Sequence, residues 1–171
     1  MPAPAPKIRL FLSDVDGVMT DAGMYYSEKG DELKKFSTYD GMGFKMLKAA
    51  GIQTGIITSE AVELNRRRAQ KLKLDHICLG VANKVAEANT IWAQTGITPA
   101  ETAYIGDDIN CLGLLKVVGW AACPANSVAA VKAVPGITLL DTRGGDGAVR
   151  DFAERILATM PAVDLGMPWA L

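Results

Sequence analysis

The pentad Asp14-Val15-Asp16-Gly17-Val18 sets two carboxylates directly behind the apolar run Ile8, Leu10, Phe11, Leu12. A short apolar run reads as a buried strand, and the carboxyl ends of strands are where open α/β sheets bind ligands. A second acidic cluster, Gly106-Asp107-Asp108-Ile109-Asn110, follows the strand-like run Ala103-Tyr104-Ile105 and reaches the same edge if the two strands are neighbours. Converging carboxylates repel one another unless a hard cation sits among them, and oxygen-only ligands point to Mg²⁺. The expected chemistry is metal-assisted work on phosphate. Asp14 can attack phosphorus and form an aspartyl phosphate, which divides one difficult step into two easier ones. Asp16, on the same side of an extended chain, can protonate the leaving oxygen and later deprotonate the attacking water. Thr58, closing another strand-like run, can donate a hydrogen bond to the transferring phosphoryl group, and Lys84 can neutralise its charge. The metal set expected is Asp14, Asp16, Asp107 and Asp108.

The elements that must deliver these groups alternate. Strand-like runs at Ile8–Ser13, Ile52–Thr58, His76–Leu79, Thr102–Ile105, Trp120–Cys123 and Ile137–Leu140 are separated by helix-length segments at Gly41–Ala50, Ala61–Lys73, Asn83–Thr95, 108–116 and Ala148–Met160. Gly51 and Gly96 stand where helices stop, and Thr98-Pro99-Ala100-Glu101 carries a capping box with proline at the first helical position. Alternating strands and helices predict a doubly wound parallel sheet covered on both faces. One stretch breaks the rhythm: Met24-Tyr25-Tyr26 and Leu33-Lys34-Lys35-Phe36 flank the polar turn Ser27-Glu28-Lys29-Gly30-Asp31 and read as a projecting hairpin. An isolated hairpin is marginal in water, so it rests either on its own domain or on a neighbouring subunit.

With 171 residues, 49% of them hydrophobic, the chain suits one domain over 1–171, with residues 1–7 flexible and 161–171 a tail. A net charge of −1 gives no general field for nucleic acid, and no apolar run approaches a membrane span. The Pro/Ala start lacks the apolar centre of a signal peptide, so a cytoplasmic location is expected. Cys78, Cys111 and Cys123 have no metal-binding or disulfide spacing and read as small hydrophobes. His76 and the tryptophans Trp92, Trp120 and Trp169 read as structural.

Asp14-x-Asp16, Thr58, Lys84 and Gly106-Asp107-Asp108, in that order, resemble the four motifs of the haloacid dehalogenase superfamily of phosphatases. The hairpin, Asp40-Gly41 and the late Gly144-Gly145-x-Gly147-Ala148-Val149-Arg150 are similar to its small capless branch, which includes 3-deoxy-D-manno-octulosonate 8-phosphate and 2-keto-3-deoxynononate 9-phosphate phosphatases. The resemblance implies a Mg²⁺-dependent enzyme of sugar-acid biosynthesis, without a separate cap domain, in which the neighbouring subunits of a homotetramer close the active site. It also admits a non-catalytic module like that appended to some sialic acid cytidylyltransferases, against which the intact motif residues argue.

The substrate expectation rests on Thr58-Ser59-Glu60. The octulosonate type carries Gly-Arg after its threonine, whereas the nononate type carries a glutamate, so Glu60 favours the nononate ester and leaves the octulosonate ester as the alternative. For a helix starting near residue 60, Arg68 lies roughly 80° and Lys71 roughly 20° from Glu60 on the wheel, which predicts one recognition face. Ser59 departs from both types. Arg143 and Arg150, beside glycines that allow close backbone approach, are further candidates for the substrate carboxylate.

Overall fold

The computed structural model describes residues 6–30 and 32–161. The expected flexible start and the tail thus fall mostly outside the described residues, as does Trp169.

Six parallel strands form the main sheet: β1 (Leu10–Ser13), β4 (Gln53–Ile57), β5 (His76–Cys78), β6 (Thr102–Ile105), β7 (Trp120–Cys123) and β8 (Thr138–Leu139). Their order across the sheet is β5-β4-β1-β6-β7-β8, so the chain winds outward from β1 on one side and then crosses to the other. β1 therefore sits at the switch point, between β4 and β6, where a crevice opens at the carboxyl ends. Both faces of β1 are buried, which is why its residues read as an unbroken apolar run. Phe11 faces a core with Phe44 and Phe152, its ring centroid 5.7 Å from each, while Leu10 and Leu12 face the opposite core with Ile91, Tyr104 and Leu114.

Helices α1 (Thr38–Ala49) and α6 (Ala148–Leu157) cover the first face, and α3 (Lys84–Thr95) and α4 (Leu112–Leu115) the second. α1 starts three residues before the expected Gly41, because the Ser37 hydroxyl accepts the Tyr39 N–H at 3.2 Å. Gly43 lets α1 lie close on α6: a Cβ there would fall 2.9 Å from the Arg150 Cα. Between β4 and β5, α2 spans only Glu63–Lys71, shorter than the expected Ala61–Lys73. The segment after Asp108 divides into a 3₁₀ turn, Ile109–Cys111, and α4. A further short helix, α5 (Ala129–Lys132), has no counterpart in the expected elements. The hairpin is present as β2 (Tyr25–Tyr26) and β3 (Glu32–Leu33), an antiparallel pair apart from the main sheet. Tyr25, Tyr26 and Leu33 are exposed. His76 bonds Gln53 at 2.9 Å, and the indole N–H groups of Trp92 and Trp120 donate to Thr102 and Thr138, in keeping with structural roles.

The contact between α1 and α6 contains a buried carboxyl. Asp40 accepts the Arg150 N–H at 3.3 Å, yet its other oxygen has no partner, and burial pushes the group up from 3.8 to about 7 despite the Arg150 and Val149 amides and nearby Arg68. The folded state therefore prefers the neutral form. Its contribution to stability is whole below about pH 4 and is lost as pH rises through about 7. Asp40→Asn should melt near the parent at pH 4 and several degrees above it at pH 8. A melting difference that does not change between these pH values would contradict this assignment.

Candidate active site

Three strand ends deliver the site. Ser13 pairs in register with Ile56 of β4 and Ile105 of β6, and the Asp14 N–H continues the ladder onto the Ile105 carbonyl at 3.0 Å. Asp14, Thr58 and Asp107 thus leave β1, β4 and β6 at one edge. They line a cavity of about 200 Å³ with Asp16, Ser59, Glu60, Asp108 and Asn110. A smaller cavity of about 150 Å³ shares Asp16 and Glu60 with it and continues to Met24 and Tyr26 of the hairpin region. A larger cavity, about 530 Å³, opens at the opposite, amino-end edge, where Lys7 and Arg9 are the only charged residues among those described. The titratable groups converge instead at the cavity of about 200 Å³.

Asp14 is buried at 4% exposure and is held by three donors. Its Oδ1 accepts the Val15 N–H at 2.8 Å, and its Oδ2 lies 2.7 Å from Lys84 Nζ and 2.9 Å from Cys111 Sγ. Lys84 reaches it from the first residue of α3, whose start is fixed by Asn83 Oδ1 accepting the Val85 and Ala86 N–H groups. Ligand atoms of Asp14, Asp107 and Cys111 lie within 4.8 Å of one another. Gly17, at φ 84°, is the residue that lets this loop close on Asp107, since a Cβ would fall 1.8 Å from its Oδ2.

The electrostatics of this cluster fit a cation. Burial, then repulsion from Asp14 and Asp108, raises Asp107 from 3.8 to about 7, although Lys84 opposes this. Its Oδ1 is buried without a partner. Cys111 is pushed up to about 12, by burial first and Asp14 second, so it remains a thiol and donates to Asp14. The donors left for a metal are carboxylate oxygens, the set suited to Mg²⁺.

Of the expected catalytic and metal residues, Asp14, Asp16, Thr58, Asp107 and Asp108 line the cavity, and Lys84 touches it through Asp14. The carboxylates of Asp16 and Asp108 stand apart from the tight Asp14–Asp107 group. Asp16 bonds Lys34, and Asp108 caps the following turn through the Ile109 N–H at 2.7 Å. Ser59 and Glu60 also line the cavity, and Ser59 accepts a hydrogen bond from Asn110 at 3.2 Å.

The recognition face is corrected. Residues 59–62 are not helical, so Glu60 precedes α2 and the 100° rule does not relate it to Arg68 and Lys71. Arg68 instead donates to the Ser37 carbonyl at 2.8 Å and lies over the Phe36 ring, while Lys71 is exposed at the end of α2. Arg143 is exposed and Arg150 bonds Glu154 at 2.6 Å. None of these four lines either cavity beside the Asp14 cluster. The late glycines serve chain against chain: a Cβ on Gly144 would fall 1.9 Å from the Gly17 carbonyl oxygen.

Two contacts had no sequence-level counterpart. Cys111 is buried as expected but bonds Asp14 and accepts from Tyr104 at 3.2 Å, which its reading as a small hydrophobe did not foresee. Lys34 reaches Asp16 from the hairpin, and nothing in the spacing announces it.

Comparison with known proteins gives a consistent result. No protein-family model matches the chain. The 3-deoxy-D-manno-octulosonate 8-phosphate phosphatase KdsC of Haemophilus influenzae is 36% identical over 151 residues, covering 88% of this chain and 83% of that protein. The crystal structure of the same-named phosphatase from Moraxella catarrhalis, in complex with magnesium ion, phosphate ion and a KDO molecule, matches with a TM-score of 0.87 and 35% identity. That match covers 91% of this chain and 89% of the other. A putative HAD superfamily (subfamily III A) hydrolase from Legionella pneumophila matches with a TM-score of 0.90 at 35% identity, over 95% and 88% of the two chains.

Proposed function

The chain belongs to the 3-deoxy-D-manno-octulosonate 8-phosphate phosphatase family of the haloacid dehalogenase superfamily and is a phosphomonoester hydrolase, and on that premise we propose that it hydrolyses a 2-keto-3-deoxy sugar-acid phosphate. The octulosonate 8-phosphate is the favoured substrate, because the named relatives act on it. Glu60, which lines the cavity, supports the nononate 9-phosphate as second reading. The observation that carries the activity is the convergence of Asp14 and Asp107 in one cavity at the switch point, with Lys84 paired to Asp14 behind it.

In this reading Asp14 attacks phosphorus, the ester P–O bond breaks, and Asp16 gives the departing oxygen a proton. Water then attacks the aspartyl phosphate, Asp16 takes its proton, and inorganic phosphate leaves Asp14 free. Lys84 offsets the charge gathered around Asp14. The Thr58 hydroxyl accepts the Glu60 N–H at 3.3 Å, which leaves its own hydrogen for a phosphoryl oxygen. Asp14 and Asp107, with Asp16 and Asp108 at the cavity rim, would hold Mg²⁺, which would supply charge neutralisation to the phosphoryl group.

We take residues 1–171 as one catalytic domain that works as a homotetramer. The exposed Tyr25, Tyr26 and Leu33 of the hairpin support this assembly, since a neighbour covering them would also stand near the Met24–Tyr26 end of the smaller cavity. The cations Arg68, Lys71, Arg143 and Arg150 lie off the cavity of one chain, so a carboxylate-binding role for any of them requires that assembly. The test is kcat/KM for the octulosonate and nononate esters with Mg²⁺. The expected result is a preference for the octulosonate ester, and a preference for the nononate ester would reverse the substrate assignment.

A further inference from the structure

Lys34 and Lys35 follow β3 and diverge, as consecutive residues of an extended chain must. Lys35 meets Asp146 at 3.1 Å in a pair about half exposed on both sides, an arrangement that contributes little. Lys34 is different. Its side chain is 0% exposed, and its Nζ lies 2.7 and 2.9 Å from the two oxygens of Asp16, so each of those oxygens accepts from one buried cation.

The placement is unusual because the hairpin belongs to a separate two-stranded sheet. The link from Asp16 to the hairpin passes through Ala22, whose φ of 66° is left-handed, a conformation that folded surroundings must impose on a residue with a Cβ. Among the described residues no backbone N–H donates to the Asp16 carboxylate, in contrast with those of Asp14 and Asp108, which accept their neighbours' N–H groups. Among the described residues, Lys34 is the group that fixes where the Asp16 carboxylate points.

We propose that Lys34 is a positioning residue: it holds the Asp16 carboxylate facing the cavity and makes that orientation depend on the seating of the hairpin. The proposal rests on the reading of Asp16 as the group that serves the leaving oxygen. An alkoxide leaving group needs a proton at the moment the P–O bond breaks, whereas an activated phenolate departs without one. A mispositioned Asp16 should therefore harm an alkyl phosphate and spare an aryl phosphate, while simple loss of structure would harm both.

The experiment compares the full chain with Lys34→Met and Lys34→Arg, measuring kcat and KM for octulosonate 8-phosphate and p-nitrophenyl phosphate with Mg²⁺ present. Lys34→Met should lower kcat on the sugar ester by about tenfold or more, with KM nearly unchanged, and lower kcat on the aryl ester by less than about threefold. Lys34→Arg, which keeps the charge, should recover part of the sugar-ester loss. Should Lys34→Met melt below assay temperature, the same substrate asymmetry is required of Lys34→Arg against the parent. Equal losses on the two esters, or none, would overturn the positioning role while leaving the phosphatase reading intact. A parent protein inactive on both esters would overturn that reading and the proposal with it.

Discussion

Asp14→Asn should fold like the parent and release phosphate at least about a thousandfold more slowly on any ester, because the amide keeps the shape of the carboxylate and loses its nucleophilic charge. The environment explains why the fold survives. Asp14 Oδ1 accepts the Val15 N–H, a bond the amide oxygen can also accept, and the neighbouring Asp107, already raised to about 7 by burial and repulsion, loses a like charge beside it. Circular dichroism should match the parent while turnover disappears, and the melting temperature should fall, because the buried Lys84 ammonium 2.7 Å away loses its charged partner. Retention of activity within about tenfold would remove Asp14 from the nucleophile's role.

Lys84→Met should damage both activity and stability. Its ammonium is buried at 3% exposure and stands 2.7 Å from Asp14, with Tyr104 and Cys111 each 3.4 Å away. Removing one partner of such a pair leaves a buried carboxylate without its cation, a change that costs about 3–5 kcal/mol. The turnover number should fall about a hundredfold to a thousandfold, as expected when a preorganised cation at a transferring phosphoryl group is lost. Added Mg²⁺ should restore part of the lost melting temperature but not the rate, since a cation among Asp14 and Asp107 relieves their repulsion without standing where Lys84 stood. A variant with parental stability and turnover would show that Lys84 is a bystander.

Much of this arrangement was legible in the sequence for a physical reason. A parallel sheet with both faces covered demands continuous apolar runs, so β1 and β6 stood out, and the groups just past their ends, Asp14 and Asp107, could be assigned to one edge. Gly51 and Gly96 marked helix ends because each adopts the left-handed conformation, at φ 79° and 68°. What could not be read depended on tertiary contact. Ser37 begins α1 inside a stretch whose Leu33–Phe36 pattern looks like a strand, so local pattern hid the cap. The segment at residues 59–62 is not helical where the pattern suggested helix, and this removed Glu60 from the face of Arg68 and Lys71. Lys34 meets Asp16 across a hairpin, and Cys111 meets Asp14 across 97 positions, distances at which no periodicity speaks.

The central claim is that this chain is a metal-dependent phosphatase for a sugar-acid ester, with Asp14 and Asp107 as the heart of the site. The most direct measurement is inorganic phosphate release from 3-deoxy-D-manno-octulosonate 8-phosphate by the full chain, stripped of metal with EDTA and then titrated with Mg²⁺ or Ca²⁺. The account predicts no release from the stripped protein and full recovery with Mg²⁺. Ca²⁺ should support little turnover, because its longer bonds and larger ligand number misplace the phosphoryl group. Undiminished release after complete metal removal, or none from this ester with Mg²⁺ restored, would contradict it.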